Sequence, residues 1–543
     1  MHRNIAALAL LTLAACTPSG PSTGPSPVPA DTVRIGPGAG TGRIERLVYR
    51  PVSPALPPIP AANGALDITV IHPGQGQTRP RVDSTFIYGN VGTGQAALEI
   101  NGTPIPVAPN GAFIAYLPVP QDGAWRLRAQ AGGREVTETR SYATPSTGGG
   151  GGNTASNNAT FAAARLGTVT GGADTLATGS DAIYARPTPT GTYRWFFPRG
   201  ARLAVVERRG EQYRVRLGDT TTAWVDADNL SLTPATAAPP APGPVNSSIS
   251  PTADGLDLRL RAGGRPFLVE TSESGATVTV YGATGGTMTP AAAFGEWFQS
   301  AAQRQAEGAS VWSLSLAGGV WGYKAWYEPN GDLVVRVRRP PAIDPRNPLR
   351  GRRIVIDPGH PPAGATGPTG LYEGDANLGI ALPLAEKLRA AGAEVILTRT
   401  GREGLVSSTN SGQELRARVQ LAVSRNAELL VSVHNNAFGE GANPFRAHGT
   451  SVYWFHPFAQ PLAQALDREI VGVTQIPDIG ARRDNLALAR PTWLPSVLTE
   501  SLFMPIPEQE AALRDPAFLD RLADAHLRGI EAFLRARAAG GGR

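Results

Sequence analysis

The stretch "IVIDPGHPPAGATGPTGLYEGDANL", residues 354–378, decides the fold of the carboxy-terminal part of this chain. It opens with the β-branched run Ile354, Val355 and Ile356, which suits a strand buried on both faces. Asp357, Pro358, Gly359 and His360 end the run, and a glycine-proline loop leads to a lone Glu373. Further apolar runs, "AEVILTR", "AELLVSVH" and "SVLTES", alternate with helical patterns, which predicts an α/β domain with a parallel or mixed sheet covered by helices. In the last helical pattern Asp515 can cap, Pro516 suits the first turn, and Leu519, Leu522, Ala523, Leu527, Ile530, Phe533 and Leu534 share one face.

Three of these runs end in a residue able to bind a metal or move a proton: His360, His434 and Glu500. Loops beyond the carboxyl ends of such strands converge on one crevice, and Glu373, just before a helix that begins near Asn377, can reach the same edge. Two imidazoles and a carboxylate are a common ligand set for a catalytic zinc, and a separate carboxylate is then needed to pass the proton, a role that Glu500 can fill. Each residue also fits a plain structural role, as a bonded strand-end histidine, a solvated loop glutamate or a cap. The spacing is looser than a helical H-E-x-x-H, so the residues alone leave both readings open.

Working outward, 543 residues exceed one ordinary domain, and the 64 glycines and 49 prolines concentrate in tracts that read as linkers between separate folded beads. The start, "MHRNIAALALLTLAACTPSG", has Arg3, an apolar run from Ile5 to Leu13 of signal-peptide length, and Cys16, the single cysteine. "Leu13-Ala14-Ala15-Cys16" resembles a bacterial lipobox, which implies a signal peptide over 1–15, acylation of Cys16 and a stable membrane anchor by several acyl chains. A Pro/Ser/Gly-rich tether spans 16–60. Residues 61–143 read as a small β-sandwich, with Asn101-Gly102, Asn110-Gly111 and Asp122-Gly123 as hairpin turns, and loosely resemble immunoglobulin-like envelope modules. A Gly/Ser linker follows over 144–160. Residues 161–234, with "Ile183-Tyr184-Ala185-Arg186-Pro187" and "Ala223-Trp224-Val225", are similar to a bacterial SH3-like domain whose Trp195, Tyr213 and Trp224 fill a core. After a Pro/Ala linker at 235–247, the strand-rich 248–342 resembles the AMIN domain that precedes many amidases, and 343–543 is the α/β domain, expected to be the catalytic one. The formal charge of +6 comes mainly from arginines scattered among carboxylates, with only Lys324 and Lys387 as lysines and no basic run interleaved with aromatics, which argues against a nucleic-acid partner.

From Arg352 to the final helix the ordered motifs resemble the zinc-dependent N-acetylmuramoyl-L-alanine amidases of the family-3 type. "Ile356-Asp357-Pro358-Gly359-His360" matches the opening motif, Glu373 with "Asn377-Leu378" the second, and "Val431-Ser432-Val433-His434" with Asn436 the third. "Leu397-Thr398-Arg399", Arg418 and "Gly449-Thr450-Ser451-Val452-Tyr453" fall at matching intervals, and "Leu494-Pro495-Ser496-Val497-Leu498-Thr499-Glu500" matches the segment with the catalytic glutamate. The resemblance implies one zinc ion held by His360, Glu373 and His434, with Glu500 as the proton-transfer group and Arg418 and Asn436 in support. It also implies hydrolysis, in peptidoglycan, of the amide between N-acetylmuramic acid and L-alanine. The implied setting is the cell envelope, with the β modules on the wall and a lipid anchor at Cys16, or else secretion. A non-catalytic peptidoglycan-binding lipoprotein and a zinc peptidase acting within stem peptides are the alternatives; an intact Glu500 argues against the first.

Some positions depart from the family pattern. Pro361 and Pro362 stand where glycines are usual, which predicts a stiffer loop with two fewer backbone donors. Asn435 replaces a small residue, and Pro383 is expected to kink the helix after Glu373. Some relatives insert an autoinhibitory helix after the third motif; here "AFGEGANPFRAHG" is too short for one, which predicts an uncovered zinc. His448 and His456 flank the following strand and could line the cleft, though packed or solvated roles are expected of them; His526 lies mid-helix and His72 belongs to another domain.

Overall fold

The computed structural model describes residues 42–51, 53, 55–143, 158–171, 182–234, 238–289, 296–406 and 410–540. Cys16 and the segment read as a signal peptide lie outside the described residues.

Residues 69–141 form two antiparallel sheets. One contains Thr69–His72, Ser84–Asn90 and Ala112–Pro118; the other contains Ala97–Ile100, Thr103–Ile105, Ala124–Ala131 and Arg134–Ser141. Ile87, Leu98, Phe113, Trp125 and Leu127 fill the core between them. Asn101 and Gly102 both take positive φ (48° and 79°) in the hairpin turn that joins two of these strands.

A five-stranded sheet then runs through Ala159–Val169, Arg202–Arg209, Gln212–Arg216, Thr222–Asp226 and Leu230–Leu232, beside the ribbon Ala182–Ala185 and Trp195–Pro198. Trp195, Tyr213 and Trp224 are buried there. Two more sheets, of five and four strands, occupy residues 247–338.

The carboxy-terminal sheet has six strands in the spatial order Glu394–Leu397, Arg353–Pro358, Leu429–Asn436, Ser496–Phe503, Thr450–Trp454 and Asp478–Arg483. All neighbours pair parallel except Thr450–Trp454 with Ser496–Phe503. The β-branched run explains itself here. Ile354, Ile356, Val431 and Val433 pack with Ile380 and Leu384 of helix Glu373–Ala390 and with Phe518 and Leu522 of helix Pro516–Gly540. Val355 and Leu430 point to the other face, against Val419 and Ala422 of helix Ser411–Ser424. Helix Glu373–Ala390 continues through Pro383, and Asp515 Oδ1 caps the last helix by accepting from the amides of Ala517 and Phe518.

The expected string of separate beads is not what the packing produces. One continuous apolar core joins residues of the 159–338 sheets to the carboxy-terminal domain, including Trp321, Tyr323, Ile380 and Leu534. Trp321 Nε1 donates to the carbonyl of Glu428 (2.9 Å), and Arg338 Nη1 to that of Ala427 (3.0 Å). The end of the expected tether is also pinned. Ile44 and Leu56 are buried, and the Tyr49 hydroxyl donates to Glu508. Apolar residues within that segment find folded surface to cover, which a purely Pro/Ser/Gly tract would not.

Candidate metal centre

The site lies at the carboxyl ends of three neighbouring strands. Arg353–Pro358 delivers Gly359 and His360, Leu429–Asn436 delivers His434, and Ser496–Phe503 carries Glu500 in register with His434. The Gly359 amide bonds the carbonyl of Val433 (2.9 Å), and a Cβ there would sit 2.2 Å from the His434 ring, so only glycine lets the imidazole lie against this strand end. His360 takes φ 61°, a left-handed conformation unusual for a non-glycine residue and typical of functional sites.

Glu373 opens its helix and closes the loop back on the two imidazoles. Its amide donates to Ala365 O (2.9 Å), and Ala365 N donates to Glu373 Oε2 (3.0 Å). Oε2 lies 3.0 Å from His360 Nε2, and Oε1 lies 3.2 Å from His434 Nδ1. One ligand atom from each residue falls within 4.8 Å of the others, a His/Glu/His set able to hold a metal ion. His360 Nδ1 faces the carbonyl of Pro362 at 3.3 Å, the outer bond that usually orients a metal-binding imidazole.

Electrostatics sort the carboxylates. Burial would raise Glu373, but His360 and His434 hold it far below its usual range, so it stays anionic. Glu500 goes the other way: burial and the negative charge of Glu373 push it well above its usual value, and its Oε2 has no hydrogen-bond partner. An anionic ligand thus sits beside a carboxyl group that readily holds a proton, the pairing that acid-base chemistry requires.

Arg418 lies beneath the loop. Its guanidinium donates to Asp357 Oδ1 (2.9 Å), to Glu414 and to the carbonyls of Pro358, His360 and Pro361. The two prolines thus contribute acceptors to a loop that Arg418 fastens. Asn436 sits at the strand end, where its carbonyl accepts from Met504 (2.8 Å) and its side chain from Ala437. The contact with Glu373 belongs to Asn435, whose amide reaches Oε1 at 3.3 Å and whose side chain bonds Asn377 (2.9 Å) and Leu502 (3.2 Å). Asn377 in turn donates to Gly359 O (3.2 Å), and Arg399 donates to the carbonyls of Pro358, Gly359 and Gly374.

In the sequence Asp357, Gly359, Asn377 and Arg399 stand only as motif letters, and Asn435 only as a departure from the family pattern. Asp357, Gly359, Arg399 and Asn435 carry a signal, a polar or glycine residue at or just beyond the end of an apolar run, whereas Asn377, inside a helix, carries none. His448, His456 and His526 are buried with backbone partners, outside the cluster. The interval 437–449 forms turns and no helix.

The family described as N-acetylmuramoyl-L-alanine amidase matches residues 354–532. The chain is 32% identical over 195 residues to the Probable cell wall amidase LytH of Staphylococcus aureus, which covers 35% of this chain and 61% of that relative. It therefore spans about three fifths of the curated relatives' length. Among solved structures, the catalytic domain of CwlV, an N-acetylmuramoyl-L-alanine amidase from Bacillus (Paenibacillus) polymyxa var. colistinus, is 31% identical, with 34% of this chain and 98% of that one covered and a TM-score of 0.30. AmiC2 of Nostoc punctiforme, bearing the same enzyme name, is 30% identical, with 34% and 97% covered and a TM-score of 0.30. By the family match over residues 354–532, the carboxy-terminal domain is of the N-acetylmuramoyl-L-alanine amidase type.

Proposed function

We propose that the chain hydrolyses the amide joining the lactyl group of N-acetylmuramic acid to L-alanine in peptidoglycan, with one zinc ion held by His360, Glu373 and His434. The observation that carries this reading is the uncommitted Oε2 of Glu500 beside a His/Glu/His cluster. Zinc, when bound, polarises the scissile carbonyl and lowers the pKa of water. Glu373 stays ionised between the imidazoles, and His360 is oriented by its bond to Pro362 O. Glu500, ionised once a bound cation offsets the charge of Glu373, would take a proton from the attacking water and return it to the L-alanine nitrogen as the C–N bond breaks, leaving a lactyl carboxylic acid and a free amine. Arg418 keeps the backbone around His360 in place, and Asn436 closes the strand end after His434.

The rest of the chain fits an exported envelope protein. In this reading Cys16 carries the lipid anchor, and the 61–143 immunoglobulin-like, 161–234 SH3-like and 248–342 AMIN-like segments hold the enzyme on the wall. The name of the Staphylococcus aureus relative, a cell wall amidase, supports that setting.

Digestion of purified peptidoglycan tests the reading. The mature chain is expected to release free L-alanine amino termini, and neither Glu500→Gln nor a chelated sample should do so. Cuts within the stem peptide would favour a zinc peptidase, and wall binding without any new ends would favour a binder.

A further inference from the structure

The strand Ser84–Asn90 is apolar on both faces. Ile87 lies in the sandwich core, whereas Phe86 and Tyr88 point outward, with Ile114 beside them, and are nevertheless buried. What buries them is the carboxy-terminal domain. Phe438, four residues beyond His434, meets the Phe86 ring edge-on (5.6 Å) and stacks on Phe503 (4.6 Å), three residues beyond Glu500. Tyr88 donates its hydroxyl to Thr366 O (3.0 Å). Thr366 follows Ala365, whose amide holds Glu373 Oε2.

Polar contacts converge on the same seam. Glu440 accepts from Gln77 (2.7 Å) and Thr85 (2.9 Å) and lies 3.2 Å from His72 Nε2. Tyr116 donates to Gly441 O (3.2 Å). A Cβ on Gly441, at φ 81°, would come within 2.9 Å of Val82. One sheet face thus touches the loop between His360 and Glu373 and the loop after His434, whose Phe438 in turn stacks on a ring beyond Glu500. The His360 and His434 side chains keep 19% and 14% of their exposure with the sandwich seated, so it does not plug the site.

We infer that the amino-terminal β-sandwich is a clamp on the metal centre: Tyr88 and Glu440 are positioning residues that hold the loops following His360 and His434 in the arrangement that binds metal. The inference rests on the amidase reading only for its activity readout.

Two variants of the full chain test it from opposite sides. Phe86→Ala/Tyr88→Phe removes the ring against Phe438 and the bond to Thr366, and Gly441→Ala pushes a methyl group into Val82. Both are read by hydrogen exchange over 361–372 and 437–449, by zinc affinity against a chromogenic chelator, and by kcat and KM. Exchange in both loops should rise while the core strand Ala124–Ala131 stays protected. Zinc affinity should fall about tenfold, the usual scale for lost outer support of a metal site, and kcat should fall with KM little changed. Unchanged loop exchange and zinc affinity in both variants would overturn the clamp, as would a rise in kcat, which would mark the sandwich as a cover. Failure of the unaltered chain to release L-alanine ends would sink the amidase reading instead, leaving exchange and zinc affinity to decide the clamp.

Discussion

The floor and the mouth of the candidate metal centre treat their carboxylates in opposite ways. At the floor, Asp357 is fully buried and both oxygens are committed, Oδ1 to Thr398 (2.6 Å) and Arg418 (2.9 Å) and Oδ2 to Ser432. Burial alone would raise its pKa, but Arg418 with the two hydroxyls holds the carboxyl below its usual range. At the mouth, Glu500 Oε2 has no partner, and burial with Glu373 pushes the group up. Leaving a buried polar atom unpaired costs about 1–3 kcal/mol, so an orphan persists where something else requires it. The floor is built to stay charged, and the mouth to change its charge.

Removing the carboxyl at the mouth is the sharpest way to break that contrast. Glu500→Gln keeps the size but cannot exchange a proton, so kcat should fall on the order of a thousandfold, within the range general acid-base groups supply. Zinc content should stay near that of the unaltered chain, and the midpoint of urea unfolding should not fall, because the amide removes a buried carboxyl that is costly to ionise. A loss below tenfold would move the proton work to another group.

At the floor the expected loss is of stability. Arg418 is 2% exposed, between Asp357 and Glu414. Arg418→Met leaves two buried carboxylates uncompensated and should cost about 3–5 kcal/mol, read from urea unfolding. Adding Asp357→Asn should recover part of that, because the stranded charge disappears with its partner. If the single variant costs less than about 1 kcal/mol, the floor is not a rigid charged base.

The contrast also explains what the sequence could and could not show. His360, His434 and Glu500 were legible because each ends a run of apolar residues, and Glu373 because a glycine-proline loop delivers it to a helix start. The supporting residues were harder. Asn435 and Asn377 bond each other across 58 residues of chain, and no local pattern records such a meeting. The sandwich's second role had a local trace that was easy to pass over. "Phe86-Ile87-Tyr88" places large apolar groups on both faces of a strand, and a sandwich strand exposed to water needs them on one. His72, set aside as belonging elsewhere, lies against Phe86 and Glu440 in that same seam.

A third buried carboxylate shows that an orphan oxygen alone does not identify chemistry. Asp467, on helix Gln460–Thr474, is 7% exposed, its Oδ1 has no partner, and it stands outside the His/Glu cluster. Burial and the neighbouring Asp478 push its pKa up to about 7. The folded state therefore binds a proton that the unfolded chain, at its ordinary value of 3.8, has already released, so stability falls as pH rises from about 4 to about 7. Asp467→Asn removes that loss. The variant should be more stable by about 1–2 kcal/mol at about pH 8 and indistinguishable from the unaltered chain near pH 4, while its kcat is unchanged. Equal stability at the higher pH would mean that Asp467 finds relief as an ion. A fall in kcat would instead tie this carboxylate to the site and remove the distinction between an orphan that serves chemistry and one that merely costs stability.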